Sequence, residues 1–554
     1  MPEPSIRLVE LTNGQQRKPW KVQNKDTCSL TLAFVLKTAK NKFRSKYRFL
    51  QYLKDPNDTC GQPVISDHDL QRILQKDDGA VVRFLVTNQQ SSASLPLVIH
   101  NNNNNKAGGL SYVIGNAQST NDAALKQLRH ASELEGCCFA IGMPDLHPGR
   151  GIPIGAVVLT REDIAYPQLV DNDIGCGTSF VQTNLATGGW KTAKLQKLAN
   201  SIRSIDGPHG TVDDMRRLCS QPLSWAHHTF GPLPKLQDCH YQNLGTVGGG
   251  NHFAELQEFH QILDADAIRQ HGIDPSKLHM LVHSGSRGFG SQVLRNFCQA
   301  VSEQHANDKD NAKTTKQRHG HWPIDTNSTL FQTYKENHDV ALNYAVRNRH
   351  LIAQRLLNEL TGEMANLDKS DCKIDIHHNY LELADITDMD AIRLMSEGAY
   401  FPKSIPPSTK SETVRGWVHR KGATPTNQSP VLVIPGSRGT LSYLCEVNPA
   451  AQHGCGFSLA HGAGRCMTRA KAKTQHQNRY PQAQKLLQTD LGGIVVCEKK
   501  NLLYEEAPQS YKDIDDVVKC LSQDVQSSDG KGIVRVLATL RPLLTYKYKD
   551  PYNP

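Results

Sequence analysis

The sequence has no long apolar run. Within its 554 residues, no stretch approaches the roughly 20 apolar residues that a helix needs to cross a bilayer. The first residues, MPEPSIRLVELTNG, lack the basic and then apolar pattern of a secretory signal. We therefore expect no membrane association and a cytosolic or nuclear location.

Motifs of several enzyme classes are also missing. There is no GxxxxGK(S/T), which excludes a P-loop NTPase, and no K-x-D-G in the context of lysine-type ligases, because Lys421 in KGAT lacks the acidic partner. Spacings typical of zinc fingers and of metalloproteases are absent too. A covalent nucleotidyl enzyme would have to use a residue other than that lysine.

The 14 cysteines are scattered and form no short framework, so we interpret them as reduced thiols, with a few candidate metal ligands. The 63 basic and 54 acidic residues give a net charge of +9, which suits a polyanionic partner without proving one. At roughly 150 residues per domain, the length allows two to four domains.

The first hundred residues have the pattern of a separate unit. Strand-like segments flank the turn Thr12-Asn13-Gly14 and predict a hairpin. Residues 29–43 have the apolar spacing of a helix, and residues 80–86 predict a late strand. This order is compatible with a small ubiquitin-like β-grasp domain over residues 1–98; an irregular extension is the alternative.

A polar segment follows this unit. Five consecutive asparagines at 101–105 lead into a glycine pair, and we interpret residues 99–109 as a flexible linker. In residues 110–554, strand-like runs such as 152–160 alternate with helical ones such as 345–359, without a second clear boundary. The predicted fold class is α+β, with one large mixed α/β domain behind a small N-terminal domain.

The segment DNDIGCG suggests a metal site. Asp173 and Cys176 lie three residues apart, so a tight turn can direct both side chains at one ion. A carboxylate and a thiolate together suit a borderline metal such as Mn, Fe or Zn. The alternative, and for this pair alone the more common outcome, is an N-cap aspartate and a buried cysteine.

Three histidines extend this set. His252, His283 and His378 each follow or end a strand-like run beside small or polar residues. A lone histidine of this kind is usually structural. Together with Asp173 and Cys176 they offer five ligands, which two metal ions could share through a bridging thiolate, and paired metals suit phosphoryl transfer.

The segment HGAGR suggests a nucleophile. His461 lies in a glycine-lined turn four residues before Arg465. An imidazole can attack a phosphate and form a phosphoramidate, and an arginine can bind phosphate oxygens in a bidentate manner. A helix-start turn with a polar histidine is the alternative. The loop PGSRG offers N–H groups and Ser437 to phosphates, and Arg287 offers a second cation.

Taken in order, these segments resemble the RtcB family of RNA ligases. The resemblance covers residues 110–548, and HHNY is more similar to the bacterial branch than to the archaeal and animal one. The combination is highly specific, and the segments that carry it are PDLHPGRGIPIG, DIGCG, GNHFAE, HSGSRG, HHNY, HRKGAT, IPGSRGT-x-SY, HGAGR-x-M-x-RAKA and EEAP-x-x-YKD.

The resemblance implies a catalytic domain of the RtcB type. Such an enzyme uses GTP and two Mn²⁺ ions to join an RNA 3′-phosphate, or a 2′,3′-cyclic phosphate after opening it, to a 5′-hydroxyl, in tRNA splicing or RNA repair. His461 would be the catalytic residue that takes GMP. RNA ends such as tRNA halves, and an archease-type activator, would be its partners.

The resemblance also implies the site residues. Glu255 would accept from the guanine ring N–H and amino groups. The family metal ligands correspond to Asp173, Cys176, His252, His283 and His378. The nucleotide contacts correspond to Asn251, His252, Phe253, Ala254, Glu255, His378, Asn379, Pro435, Gly436, Ser437, Arg438, Ser442, His461, Gly462, Ala463, Gly464, Tyr511 and Lys547.

The chain departs from the family in four places. Arg438 stands where methionine is usual, Ala460 replaces a commonly polar residue, residues 548–554 continue past Lys547, and the N-terminal unit lies outside the family pattern. Two rival functions remain at this point. One is a metal-dependent phosphoesterase that uses no nucleotide, and the other is a non-catalytic RNA-binding relative.

Overall fold

The structure is a computed structural model that describes residues 109–114, 121–226, 228–307, 321–364, 367–387, 413–522 and 532–552. Of residues 1–98 it describes six strands and Val35, and it also describes Met389, Ile392 and Arg393. Contacts divide the chain into two compact units, Met1–Leu95 and Pro96–Pro554. The predicted linker lies outside the described residues except for Gly109.

Five strands of the smaller unit form one mixed sheet. The predicted hairpin is confirmed by antiparallel pairing of the first two strands, and the late strand pairs in parallel with Ile6–Thr12, one residue further along than predicted. The predicted helix lies outside the described residues except for Val35, so the β-grasp assignment stays a prediction. The spatial order is Arg17–Gln23, Ile6–Thr12, Val81–Thr87, Phe49–Leu53, Gln62–Val64.

The larger unit is built on two sheets, as expected for a mixed α and β domain. The first is antiparallel except that Ile494–Cys497 pairs in parallel with Val534–Tyr548. Its other strands lie in the order Cys372–His377, Gly177–Ala186, Lys277–Ser284, Phe253–Ile262, Val534–Tyr548, Ser442–Val447, Val431–Ile434.

The second sheet has six strands, and only the pair Leu110–Val113 with Cys137–His147 is parallel. Its order is Asn379–Ile386, Val414–Lys421, Ile154–Arg161, Cys137–His147, Leu110–Val113, Leu97–Val98. Short strand pairs add Ile164–Ala165 with Ile324–Asp325, Leu223–Trp225 with His228–Phe230, and Ala423–Pro425 with Ser458–Ala460.

The main core lies between the two sheets. Side chains such as Val157 and Val418 of the second sheet pack in one apolar cluster with Phe180 and Leu281 of the first. The next residue along one strand, Val181, points to the opposite face, because side chains alternate along a strand. There it packs with residues of the flanking helices.

Helices cover that outer face and the ends of the sheets. Among the described residues, no helix is both long and apolar enough to cross a membrane.

The structure confirms the strands predicted in IPIGAVVLT, MLVHSGS and VLVIP. It also confirms the helices predicted over 345–359 and 513–522. The helices are Asp122–Ser132, Thr192–Ser201, Val212–Cys219, Asp238–Asn243, Ala265–Gln270, Arg287–Asn307, Thr329–Thr361, Arg469–Arg479, Lys500–Glu505 and Ile514–Ser522.

The helix Thr329–Thr361, called here the long helix, has 33 residues and is therefore about 50 Å long. It buries polar side chains as well as apolar ones. Asn348 is fully buried; its Oδ1 accepts from Gly245 N at 2.7 Å, and its Nδ2 donates to Gly285 O at 3.1 Å. One amide thus ties the loop before His252 to the loop after His283.

Arg349, the next residue of the long helix, makes similar contacts with two loops. It is fully buried, donates to Gly175 O at 2.9 Å and Ser284 O at 3.1 Å, and forms an ion pair with buried Asp375. The long helix therefore holds three glycine-rich loops in fixed relative positions through their main-chain carbonyls.

We expect Arg349→Met to lower the free energy of unfolding by about 3–5 kcal/mol, because it leaves the Asp375 carboxylate buried without its partner. Chemical denaturation measures this. Arg415→Met is the matched control, since Arg415 pairs with Glu162 and Asp385 on the surface; we expect it to cost less than about 1 kcal/mol. Equal losses in the two variants would contradict the role given to Arg349.

Candidate active site

The order of strands in the first sheet brings four of the five predicted metal ligands to the same end of four neighbouring strands. Cys176 directly precedes the strand Gly177–Ala186, His283 is near the end of Lys277–Ser284, His252 directly precedes Phe253–Ile262, and His378 directly follows Cys372–His377. These four strands are antiparallel neighbours, so at this end of the sheet the start of one strand lies beside the end of the next.

The ligand atoms lie within contact distance of one another. Cys176 Sγ is 3.4 Å from His252 Nε2 and 3.2 Å from His283 Nε2. His283 Nε2 is 3.2 Å from His378 Nε2, and Asp173 Oδ2 is 3.0 Å from His252 Nε2. All five predicted ligands therefore converge, and Cys176 stands at their centre.

They form two groups that share one thiol. Cys176, His283 and His378 make one group, and Asp173, Cys176 and His252 make the other; within each, the ligand atoms all lie within 4.8 Å. A thiolate between two ions, with imidazole and carboxylate around it, matches the donor preferences of borderline divalent metals. The N-cap aspartate and buried cysteine of the alternative interpretation do not account for this convergence.

Burial sets the protonation of these groups. It lowers the pKa of His283 and of His378 well below the usual value, so both imidazoles are neutral and able to ligate at neutral pH. Burial also opposes ionisation of Asp173, but the adjacent His252 outweighs it and holds the pKa of that carboxyl below its usual range. Burial raises the pKa of the Cys176 thiol, as expected for a thiol that only a cation would ionise.

His461 lies beside this cluster. Its ring centroid is 4.8 Å from that of His378 and 6.4 Å from that of His283. Its Nδ1 lies 2.6 Å from Oδ2 of Asp145, a fully buried carboxylate on the strand Cys137–His147. This contact lacks hydrogen-bond geometry but places the Asp145 carboxylate against Nδ1, which leaves Nε2 as the nitrogen available for attack.

The glycine at 464 allows this approach. Gly464 has φ of 69°, and a Cβ there would lie 2.2 Å from the main-chain oxygen of Asp145. Any larger residue would thus clash with the strand that carries the partner of His461. This explains the second glycine of HGAGR in terms of packing.

A pocket opens beside His461. Twelve of the 18 predicted nucleotide residues line it, as does the predicted metal ligand His283. The twelve are Asn251, Phe253, Pro435, Gly436, Ser437, Arg438, His461, Gly462, Ala463, Gly464, Tyr511 and Lys547.

Six predicted nucleotide residues are not in its wall. His252 and His378 belong to the metal cluster, and Ala254 packs in the apolar core. Asn379 Oδ1 accepts from Gly422 N at 2.6 Å, which fixes the turn before Ala423. The other two, Glu255 and Ser442, are buried, and each hydrogen-bonds to a residue of the wall, Thr545 or Gly436.

Glu255 is 3% exposed and is the cross-strand partner of Thr545, which does line the pocket. Its carboxylate accepts from Thr545 Oγ1 at 2.8 Å and from Gln257 Nε2 at 2.9 Å. Gln257 Nε2 also reaches Ser442 Oγ at 3.3 Å. Burial raises the pKa of Glu255 to about 7, so its charge changes near neutral pH.

The sequence interpretation missed several residues of the site. Asp145, beside His461, and His147, in the pocket wall, lie within the quoted segment PDLHPGRG but received no role. Arg469 and Glu506 lie in the RAKA and EEAP segments, and Glu506 accepts from Arg465 at 2.9 Å and from Tyr511. The signal that could have revealed Asp145 and Glu506 was a carboxylate within a motif that the resemblance already covered. No such signal existed for Thr545, which lies in an apolar strand.

Two of the departures from the family make hydrogen bonds with neighbouring elements. Arg438 is in the pocket wall, but its Nη2 donates to Leu503 O of the neighbouring helix at 2.7 Å. Beyond Lys547, Lys549 Nζ donates to Ile202 O at 2.7 Å. Lys547 keeps its place in the strand and donates to Gly250 O at 2.9 Å.

Comparison with known proteins shows which family this chain belongs to. The sequence model of the family described as tRNA-splicing ligase RtcB matches residues 127–548. An RNA-splicing ligase RtcB2 from Escherichia coli is 34% identical over 424 residues, 76% of this chain and 92% of that protein. A tRNA-splicing ligase RtcB from Nanoarchaeum equitans is 29% identical over 464 residues, 77% of this chain and 92% of that protein.

A relative from a eukaryote is similar in extent. An RNA-splicing ligase RtcB homolog 2 from Entamoeba dispar is 27% identical over 477 residues, 77% of this chain and 83% of that protein. These matches place the chain in the class of RNA ligases. It belongs to the RtcB family, as its motifs predicted.

The shared thiol generates a prediction about metal binding. We expect Cys176→Ser to abolish binding of both Mn²⁺ ions, because the bridging ligand is lost, and His378→Ala to abolish only one. Bound Mn²⁺ per protein is counted after equilibrium dialysis. Cys239→Ser, at an exposed cysteine that belongs to neither ligand group, is the control and should bind the wild-type amount. Full occupancy in Cys176→Ser would argue against a shared site.

Proposed function

We propose that this protein joins RNA 3′-phosphate or 2′,3′-cyclic phosphate ends to 5′-hydroxyl ends, in tRNA splicing or RNA repair, with GTP and two Mn²⁺ ions. The observation that carries the proposal is the position of His461, between a cluster of five metal-capable side chains and a pocket with the predicted nucleotide residues in its wall. Neither a phosphoesterase nor a non-catalytic RNA-binding protein needs that combination.

In the first step, Nε2 of His461 attacks the α-phosphorus of GTP. A nitrogen–phosphorus bond forms, the bond to the β-phosphate oxygen breaks, and pyrophosphate leaves. Asp145 beside Nδ1 stabilises the positive charge that develops on the imidazole. Arg465, already ordered by Glu506, is placed for phosphate oxygens at the pocket wall.

In the second step, an oxygen of the RNA 3′-phosphate attacks the phosphorus of the GMP adduct, and His461 is released. The 5′-hydroxyl then attacks the RNA 3′-phosphate, loses its proton and expels GMP. Asp173, Cys176, His252, His283 and His378 would hold the two ions, which when bound neutralise phosphate charge and align the attacking oxygen.

Guanine would be selected beside Tyr511 and Lys547. Both line the pocket, and the Glu255 carboxylate accepts from Thr545 of the same wall. An ionised carboxylate there favours the guanine N–H groups, while adenine offers an unprotonated ring nitrogen at the same edge. We also propose a β-grasp fold for the N-terminal unit and an archease-type activator as a partner.

The decisive experiment uses labelled GTP and Mn²⁺. We expect an acid-labile, alkali-stable protein–GMP adduct in the wild type and none in His461→Ala. Asp145→Asn should slow adduct formation by about 10²–10⁴-fold, because the orienting charge at Nδ1 is lost. An undiminished adduct in His461→Ala would exclude the mechanism. Phosphatase activity without any adduct would favour the phosphoesterase.

Glu255 generates a pH dependence. Below its pKa of about 7 the carboxyl is protonated and cannot accept from two guanine N–H groups; above it the carboxylate can. Affinity for guanosine, which carries no titrating phosphate, should therefore rise from about pH 6 to about pH 7.5. Equilibrium dialysis measures it. The profile should be flat in Glu255→Gln, and a rise that persists in this variant would assign the titration to another group.

A further inference from the structure

The segment from Cys466 to Tyr504 carries an unusual share of the charge. It contains seven basic and two acidic residues, a net charge of +5 within a chain of net charge +9. Its first helix, Arg469–Arg479, has no acidic residue. We call Lys471, Lys473 and Arg479 of this helix the basic ridge. Lys471 and Arg479 are exposed, and Lys473 is half-buried.

The basic ridge is not neutralised by its surroundings. Among the described residues, none of its three members forms an ion pair with a carboxylate. Elsewhere, exposed arginines are paired, as Arg216 is with Asp213 and Asp238. Unpaired cations on one helix repel one another, and a polyanion would relieve that repulsion.

The helix that carries the basic ridge begins beside the proposed active site. Arg469, at the first position of the helix, lines the pocket while its side chain is 52% exposed. Its guanidinium also lies against Gly250, where a Cβ would be 2.7 Å from Nη2. Gly250 is two residues before the metal ligand candidate His252. The basic ridge therefore follows a pocket residue along a helix about 16 Å long.

The buried stripe of the helix divides the basic ridge. Ala472 and His476 are buried, and His476 Nδ1 contacts the Tyr504 carbonyl at 2.9 Å. With 3.6 residues per turn, the exposed Lys471 and Arg479 lie to one side of this stripe and the half-buried Lys473 lies to the other.

We propose that the basic ridge binds the RNA strand whose end is being joined, with Lys471, Lys473 and Arg479 contacting phosphates outside the pocket. This rests on the proposed function and adds the path of the substrate to it. The contacts are with phosphates and not with bases, so they fix the position of the strand without reading its sequence.

The test compares two triple variants by steady-state ligation of single-stranded RNA ends at several salt concentrations. In Lys471→Gln/Lys473→Gln/Arg479→Gln we expect KM for RNA to rise at least about tenfold at low salt, with kcat little changed. The slope of log(kcat/KM) against log salt should become shallower by about 2, since each phosphate contact contributes about 0.7.

The matched control is Lys191→Gln/Lys194→Gln/Lys197→Gln. These three exposed lysines belong to or precede the helix Thr192–Ser201, which also lacks acidic residues. That helix packs on the face of Ile494–Cys497 opposite to the cluster of Leu502 and Leu503. We expect its KM and salt slope to match the wild type.

Labelling of His461 with GTP separates this proposal from the proposed function. Both triple variants should form the adduct at the wild-type rate, because the ridge lies outside the pocket. Wild-type KM and salt slope in the ridge variant, or equal changes in both variants, would overturn the ridge as the RNA path. Absence of the adduct in the wild type would instead overturn the proposed function.

Discussion

The site depends on one buried ion pair and the carbonyls around it. Arg349 meets Asp375 in the interior and uses its remaining donors on Gly175 and Ser284. Asn348, beside it, holds Gly245 and Gly285. Glycine-rich loops have little side-chain packing of their own, so without these donors their conformational freedom would be large. The long helix supplies the rigidity that the loops lack.

This arrangement places the candidate metal ligands directly beside a pocket with different electrostatic requirements. The candidate metal ligands include neutral imidazoles and a carboxyl of depressed pKa, which burial and close contact provide. The proposed nucleotide pocket beside them has cationic side chains such as Lys547 and Arg465 in its wall. Asp145, on the second sheet, lies 2.6 Å from His461 Nδ1. His461 is thus in contact with side chains of both sheets, Asp145 and His283.

Much of the site could be predicted because its residues lie in short motifs. His461, Cys176 and the glycine-rich loops were found from spacing and residue type, and the structure brings them together. Glu255 shows the limit of that approach: the resemblance assigned it to guanine, but no local pattern says that its carboxylate accepts from Thr545 of a neighbouring strand. Arg438 is similar, since its anchor at Leu503 comes from a helix 65 residues away.

The sequence by itself determined the family, the identity of the candidate ligands and nucleophile, and some of the strands and helices, because these are encoded in local patterns of residue type and spacing. Only the tertiary structure decided which groups meet. The order of antiparallel strands puts Cys176, His252, His283 and His378 at the same end of four neighbouring strands. The packing of two sheets puts Asp145 beside His461. Such contacts join residues more than a hundred positions apart, where no local pattern reaches.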